Sequence, residues 1–299
     1  MKKDLGRLIT AMVTPFDKDG EVDYAQAGKL ANALLDSGSE GLVVVGTTGE
    51  SPTLRHGNEE IKLFTEVKKA VGNRGSVIAG TGSNNTAEAL EFTKDAEEVG
   101  VDACLLVVPY YNKPTQEGLY QHFKMIADNT NLPCILYNVP SRTVTNLNAE
   151  TTIRLSQVKN IIGIKEASGN LEQTAKVIAG AKPGFIVWSG NDSDTLPMLA
   201  LGAHGVISVA SHLVGKQISE MIYSFLKGDT GKAAKIHGHL LPLVNSMFLV
   251  SNPSPVKYAL NQIGFNVGKT RLPLVEPDEK TAAIIRDTLK KYTIDIKVK

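Results

Sequence analysis

Eight times between residues 8 and 227, a short apolar run rich in Val, Ile and Leu is followed by a span with helical spacing. The runs are 8–13, 41–46, 76–79, 103–108, 133–137, 161–165, 185–189 and 205–209. The helical spans are 23–36, 57–71, 84–99, 115–129, 148–157, 170–180, 193–201 and 211–227. Each run is apolar nearly throughout, the pattern of a strand buried on both faces. Such alternation implies parallel strands covered by helices, and eight units predict an α/β fold, a closed (β/α)8 TIM barrel. An open Rossmann sheet would carry a glycine-rich fingerprint after its first strand, where this chain has Thr14-Pro15-Phe16-Asp17. Beyond residue 228 the spacing is helical only, near 230–248, 254–263 and 277–291, with no Gly/Ser-rich linker. The expected organisation is a catalytic barrel over 1–228 and a C-terminal all-helical extension over 229–299.

Composition narrows the classes of function. Lys plus Arg number 32 and Asp plus Glu 31, a net charge of +1, so nothing pulls the chain toward nucleic acid or an acidic membrane. Cys104 and Cys134 sit in apolar runs, without metal-site or disulfide spacing, and read as small core residues in a reducing compartment. The apolar run after Met1-Lys2-Lys3-Asp4 is too short for a signal peptide, and no stretch is long enough to cross a bilayer. A soluble, cytoplasmic protein is expected.

Within the sixth run, Ile161-Ile162-Gly163-Ile164-Lys165-Glu166, a lysine interrupts the apolar residues. A buried, unpaired ammonium is costly, so such a lysine tends to release its proton, and a neutral amine is a carbonyl nucleophile. The plain alternative is a strand-end lysine that reaches solvent or pairs with Glu166. In barrels of this kind functional groups collect at the C-terminal strand ends. After the second run comes Gly46-Thr47-Thr48-Gly49-Glu50-Ser51, a tight turn whose N–H groups suit an anion. After the fourth comes Pro109-Tyr110-Tyr111-Asn112-Lys113-Pro114. The fifth ends in Tyr137 and is followed by Arg142, a natural fork for a carboxylate. The seventh ends in Ser189-Gly190-Asn191-Asp192, and the eighth contains Ile207.

Each residue alone has an ordinary structural explanation, and their convergence on one rim favours chemistry. The six histidines form no metal-site pattern, and a nicotinamide fingerprint is missing. Pyridoxal phosphate also uses a lysine, but a phosphate cup and a ring-nitrogen partner cannot be assigned. A Schiff-base aldolase or lyase needs only a lysine, a proton relay and carboxylate holders, with no cofactor and no metal.

The segments Gly46–Ser51, Tyr110–Pro114, Tyr137–Thr143, Gly163–Ser168 and Ser189–Asp192 resemble the dihydrodipicolinate synthase family, from about Gly6 into the C-terminal helices. The wider superfamily includes N-acetylneuraminate lyase and keto-deoxy-sugar-acid aldolases. The Pro140-Ser141-Arg142-Thr143 ending looks like the synthase, whereas sugar-acid lyases usually place other residues there. The resemblance implies that Lys165 forms an imine with pyruvate and that Tyr137 moves the protons. It implies a relay through Thr47 and Tyr111, with Tyr111 reaching across a subunit interface. It assigns the pyruvate carboxylate to the Thr48 turn, the carboxylate of L-aspartate 4-semialdehyde to Arg142, and the pocket lining to Gly190 and Ile207. It also implies a homotetramer built as a dimer of dimers. Some members bind regulatory L-lysine at positions matching Ser51, Pro52, His56, Glu59, Asn84, Glu88 and Tyr110. Glu59 stands where strongly inhibited members have histidine, so weak or absent feedback is expected.

Two other readings stay open on the residues: a pyruvate-dependent aldolase or lyase for a sugar acid, and a barrel kept as a small-molecule sensor. A pure binder gains nothing from Lys165, Tyr137, Tyr111 and Thr47 together.

Overall fold

The structure is a computed structural model and describes residues 4–298. Its strands are β1 (Leu8–Ala11), β2 (Gly41–Val44), β3 (Ser76–Gly80), β4 (Ala103–Val107), β5 (Cys134–Asn138), β6 (Ile161–Glu166), β7 (Ile186–Ser189) and β8 (Gly205–Ser208). They follow chain order around a closed barrel. Helices α1 (Tyr24–Asp36), α2 (Glu59–Val71), α3 (Thr86–Val99) and α4 (Gln116–Asp128) follow the first four strands. After β5 come α5 (Pro140–Thr143) and α6 (Ala149–Ser156), and after β6 and β7 come α7 (Leu171–Gly180) and α8 (Thr195–Ala200). The chain ends with α9 (Ser211–Leu226), α10 (Thr230–Ser246), α11 (Ser254–Gln262) and α12 (Glu279–Leu289). All eight expected strands are present, and the TIM-barrel reading holds.

Two compact units divide the contacts, one of Ile78–Ile207 and one of Asp4–Val77 with the residues from Ser208 onward. In the first, β4 to β8 pair in parallel and bury Leu106, Leu136, Ile164, Trp188 and Ile207 completely. A side chain of that size contributes about 1.5–3 kcal/mol when withdrawn from water. Gly163 is the notch that admits Trp188: a Cβ there would lie 2.8 Å from Trp188 Cζ3 and 2.3 Å from the Ile186 carbonyl. Helices α3, α4, α6 and α7 start on side-chain caps, with Asn85, Thr115, Asn148 and Asn170 each accepting a backbone N–H of the first turn. Cys104 and Cys134 are buried free thiols 3.5 Å apart on neighbouring strands, and each thiol fills core as expected.

In the second unit, Asp23, Asp229 and Asp278 cap α1, α10 and α12 in the same way. The helix expected over 211–227 is kinked at Val214, whose φ of −130° and ψ of 39° leave the helical region. Close approach of Gly215 to the Ser37 carbonyl accompanies the kink: a Cβ on Gly215 would lie 2.4 Å from that oxygen. Two short elements were not foreseen, α5 and a 3-10 turn at Ser51–Thr53. Each starts with a proline at its first or second position and is too short to show a helical period.

Candidate active site

Strands β5 and β6 pair Tyr137 with Lys165 and Asn138 with Glu166. Successive strand residues point to opposite faces, so Tyr137 and Lys165 share one face and Asn138 and Glu166 the other. Both Tyr137 and Lys165 are 6% exposed, and the lysine Nζ stands 4.2 Å from the centroid of the tyrosine ring. No carboxylate pairs with Lys165 among the described residues. Glu166 faces away and accepts hydrogen bonds from the Ser168 N–H (2.7 Å), Asn138 Nδ2 (3.2 Å) and Gln173 Nε2 (3.2 Å). Burial raises the Glu166 pKa, and these donors act against that rise. Gly190 lies against the stem of the lysine: a Cβ there would be 3.1 Å from Lys165 Cγ and 2.6 Å from Ala167 Cβ. Ile207 is fully buried in β8.

The loops after the strands are conformationally strained. Every non-glycine residue with positive φ among the described residues follows β2, β4 or β5: Val45 (59°), Glu50 (57°), Tyr111 (74°), Lys113 (48°) and Val144 (60°). Such backbone costs on the order of 1–3 kcal/mol per residue, most for a β-branched one, and clusters at functional sites. Tyr111 is 87% exposed in the single chain. Arg142 lies in α5 with its N–H on the Val139 carbonyl (2.9 Å), and its exposed guanidinium has no partner among the described residues.

In the second unit, Thr48 is buried and Thr47 half-buried in the turn after β2. Asn252 Nδ2 donates to Thr48 Oγ1 at 2.9 Å, so the threonine keeps its own proton to donate elsewhere. The turn closes through the Glu50 N–H on the Thr47 carbonyl (3.1 Å). Glu50 is fully buried and accepts from Lys257 Nζ (2.8 Å) and the Arg271 N–H (2.9 Å). Asn252, Lys257 and Arg271 were missed by sequence reasoning. Lys257 did carry a readable signal, the same one that marks Lys165, since it interrupts the run from Val256 to Leu260.

The residues matched to a lysine site are placed separately in the two units. In the first, Asn84 Nδ2 donates to the Tyr110 carbonyl (3.1 Å), while Glu88 accepts from Ser83 (3.1 Å) and Asn85 (3.0 Å). In the second, Ser51 opens the 3-10 turn and exposed Pro52 follows it. Exposed His56 lies with Nδ1 3.0 Å from Glu60, whose buried carboxyl is pushed up to about 7 by burial. Glu59 is held by both Arg271 guanidinium nitrogens at 2.7 and 2.8 Å, which lowers its pKa. Among the described residues no group of three or more His, Cys, Asp or Glu is placed to hold a metal. A cavity of about 770 Å³ in the second unit, lined by Asp23, Lys29, Asp36, Lys216 and Asp295 among others, contains none of the candidate residues.

The sequence model of the dihydrodipicolinate synthetase family matches residues 4–292. A 4-hydroxy-tetrahydrodipicolinate synthase of Dehalococcoides mccartyi is 71% identical over 297 residues, covering 99% of this chain and 100% of that relative. The crystal structure of a dihydrodipicolinate synthase from Bacillus anthracis superposes with a TM-score of 0.95 at 47% identity, covering 97% of this chain and 99% of that one. The enzyme of Cyanidioschyzon merolae, solved with lysine bound, superposes with a TM-score of 0.94 at 47% identity, covering 96% and 98%.

Proposed function

The chain belongs to the dihydrodipicolinate synthetase family, and from that premise we propose how its own residues carry the family's reaction. The reaction is the condensation of pyruvate with L-aspartate 4-semialdehyde through a lysine Schiff base and enamine, a step of diaminopimelate and L-lysine biosynthesis. In this proposal the Lys165 amine attacks the pyruvate ketone, and loss of water leaves an iminium. The iminium is an electron sink, so a methyl proton departs and an enamine forms. The enamine carbon adds to the aldehyde, whose oxygen takes a proton to become the hydroxyl. The substrate's own amine then attacks the iminium carbon, expels the lysine amine and closes the ring.

Tyr137 is the proton donor and acceptor for these steps, and Thr47 and Tyr111 extend the relay. The Thr48 hydroxyl and the N–H groups of its turn take the pyruvate carboxylate. Arg142 takes the carboxylate of the aldehyde substrate, a reading supported by its unpartnered guanidinium. Gly190 and Ile207 line the lysine's surroundings. Residues 1–228 are the catalytic barrel in this account and 229–299 its helical extension. We place the enzyme in the cytoplasm as a dimer of dimers, a state in which exposed Tyr111 gains a neighbour. L-lysine acting at Ser51, His56, Asn84, Glu88 and Tyr110 is a weak inhibitor at most, because the Glu59 carboxylate is committed to Arg271.

One observation carries the proposal: a buried lysine amine without an acidic partner, held 4.2 Å over the ring of a buried tyrosine. Treatment with pyruvate and borohydride should add one reduced pyruvyl group to the protein, and Lys165→Ala should abolish it while the variant stays folded. An adduct that persists in Lys165→Ala refutes the nucleophile.

A further inference from the structure

On the face of β5 and β6 opposite Tyr137 and Lys165 lies a buried polar cluster that the reaction does not touch. Asn138 is fully buried and Glu166 is 2% exposed. Asn138 Nδ2 donates to both Glu166 oxygens, each at 3.2 Å, and to Asn146 Oδ1 at 2.8 Å. Its Oδ1 accepts the Leu147 N–H at 2.9 Å. Gln173 Nε2 donates to Glu166 (3.2 Å) and to the Leu147 carbonyl (3.2 Å), while its Oε1 accepts from Asn146 (2.8 Å). Gln116 Nε2 adds a bond to the Asn146 carbonyl at 2.7 Å.

These contacts have a direction. The Ser168 N–H, Asn138 Nδ2 and Gln173 Nε2 all donate to Glu166, so its carboxyl oxygens take the amino end of the Asn138 amide. The amide oxygen is then turned toward Leu147, where it takes the backbone N–H. Asn138 is the last residue of β5, where the connection that carries α5 and Arg142 begins, and Leu147 stands near the end of that connection. Glu166 thereby selects the one amide orientation that clasps both ends of this connection. Arg142 has no contact of its own to hold its guanidinium, so its position follows from the backbone beneath it.

We propose that Glu166 is a positioning residue that, through Asn138 and the Asn146–Gln173 pair, holds the 138–147 connection in the shape that presents Arg142 to the carboxylate of the aldehyde substrate. The inference rests on the role given to Arg142 above. Glu166→Gln keeps size and shape but sets an amino group against the donors of Asn138 and Gln173. The Asn138 amide is then free to turn, and the clasp on Leu147 is lost.

The test is steady-state kinetics with both substrates varied. Glu166→Gln should raise KM for L-aspartate semialdehyde about tenfold, the loss of one hydrogen bond of about 1.4 kcal/mol. KM for pyruvate should stay within about twofold, and borohydride should trap the pyruvyl adduct as in the parent enzyme. A role limited to holding the barrel together would move both KM values and the trapping yield together. Unchanged aldehyde KM, or equal changes in both, overturns the proposal. Asn146→Ala, at the half-buried edge of the cluster, covers the case of a misfolded Glu166→Gln. It should show the same split, and its absence there is equally fatal. Arg142→Ala separates the two levels of the argument. If it leaves aldehyde KM unchanged, the role of Arg142 itself is wrong. If it raises aldehyde KM while Glu166→Gln does not, only the positioning role falls.

Discussion

Replacing Lys257 with Met should destabilise the protein far more than its distance in sequence from β2 suggests. The ammonium uses all three protons, on Glu50 Oε1 (2.8 Å), the Thr14 carbonyl (3.0 Å) and the Lys269 carbonyl (2.8 Å). Its side chain is 2% exposed and that of Glu50 is 0% exposed. Methionine fills nearly the same space, so the cavity cost is small. What remains is a buried carboxylate whose one other donor among the described residues is the Arg271 N–H at 2.9 Å. Breaking a buried pair in this way costs about 3–5 kcal/mol, a large part of a total stability of about 5–15 kcal/mol. Urea denaturation should show a lower midpoint at unchanged slope. The double variant Lys257→Met, Glu50→Gln removes both charges and should recover most of the loss, because the cost comes from the unpaired ion and not from a missing attraction. If the double variant is no more stable than the single one, this reasoning is wrong.

Two further outcomes follow from packing and burial. Gly190→Ala places a Cβ 2.6 Å from Ala167 and 3.1 Å from Lys165 Cγ, so the lysine stem must move. The stem gives way by a few tenths of an ångström, and since about 1 Å costs roughly a hundredfold in rate, the reaction slows several-fold; borohydride trapping as fast as in the parent protein would show that Gly190 does not set the lysine's position. His122 and His212 are buried, and burial lowers each from 6.5 to about 4. The unfolded chain takes up these protons near pH 6.5 and the folded chain only near pH 4, so their contribution is complete above pH 6.5 and drains as pH falls toward 4. At about 1.4 kcal/mol per pH unit each group is worth about 3 kcal/mol. His122→Phe should therefore lose less stability than the parent protein on going from neutral to about pH 5, as read from urea midpoints. Glu60, raised to about 7, acts in the opposite sense and cancels in that comparison. Identical acid sensitivity in both proteins contradicts the assignment.

The barrel was legible because parallel strands buried on both faces leave apolar runs that need no tertiary knowledge to find. Lys165 stood out for the same reason, as a charged residue inside such a run. The short helix carrying Arg142 was not legible: four residues show no period, and the left-handed Val144 that ends it is a residue type that ordinarily avoids positive φ. The face reached by Glu166 was implicit in strand alternation, yet its partners Asn138, Asn146 and Gln173 come from three separate elements and connections.

Amino-acid order alone thus determined the alternation of elements and the closed barrel, and it singled out Lys165 as a charge within an apolar run, since each of these depends on spacing between near neighbours in the chain. Tertiary structure alone decided which polar groups satisfy one another across it. Asn252 reaches Thr48 and Lys257 reaches Glu50 from about 200 residues away. A buried polar atom takes whichever donor or acceptor the packed fold brings within about 3 Å, and no local pattern records that choice.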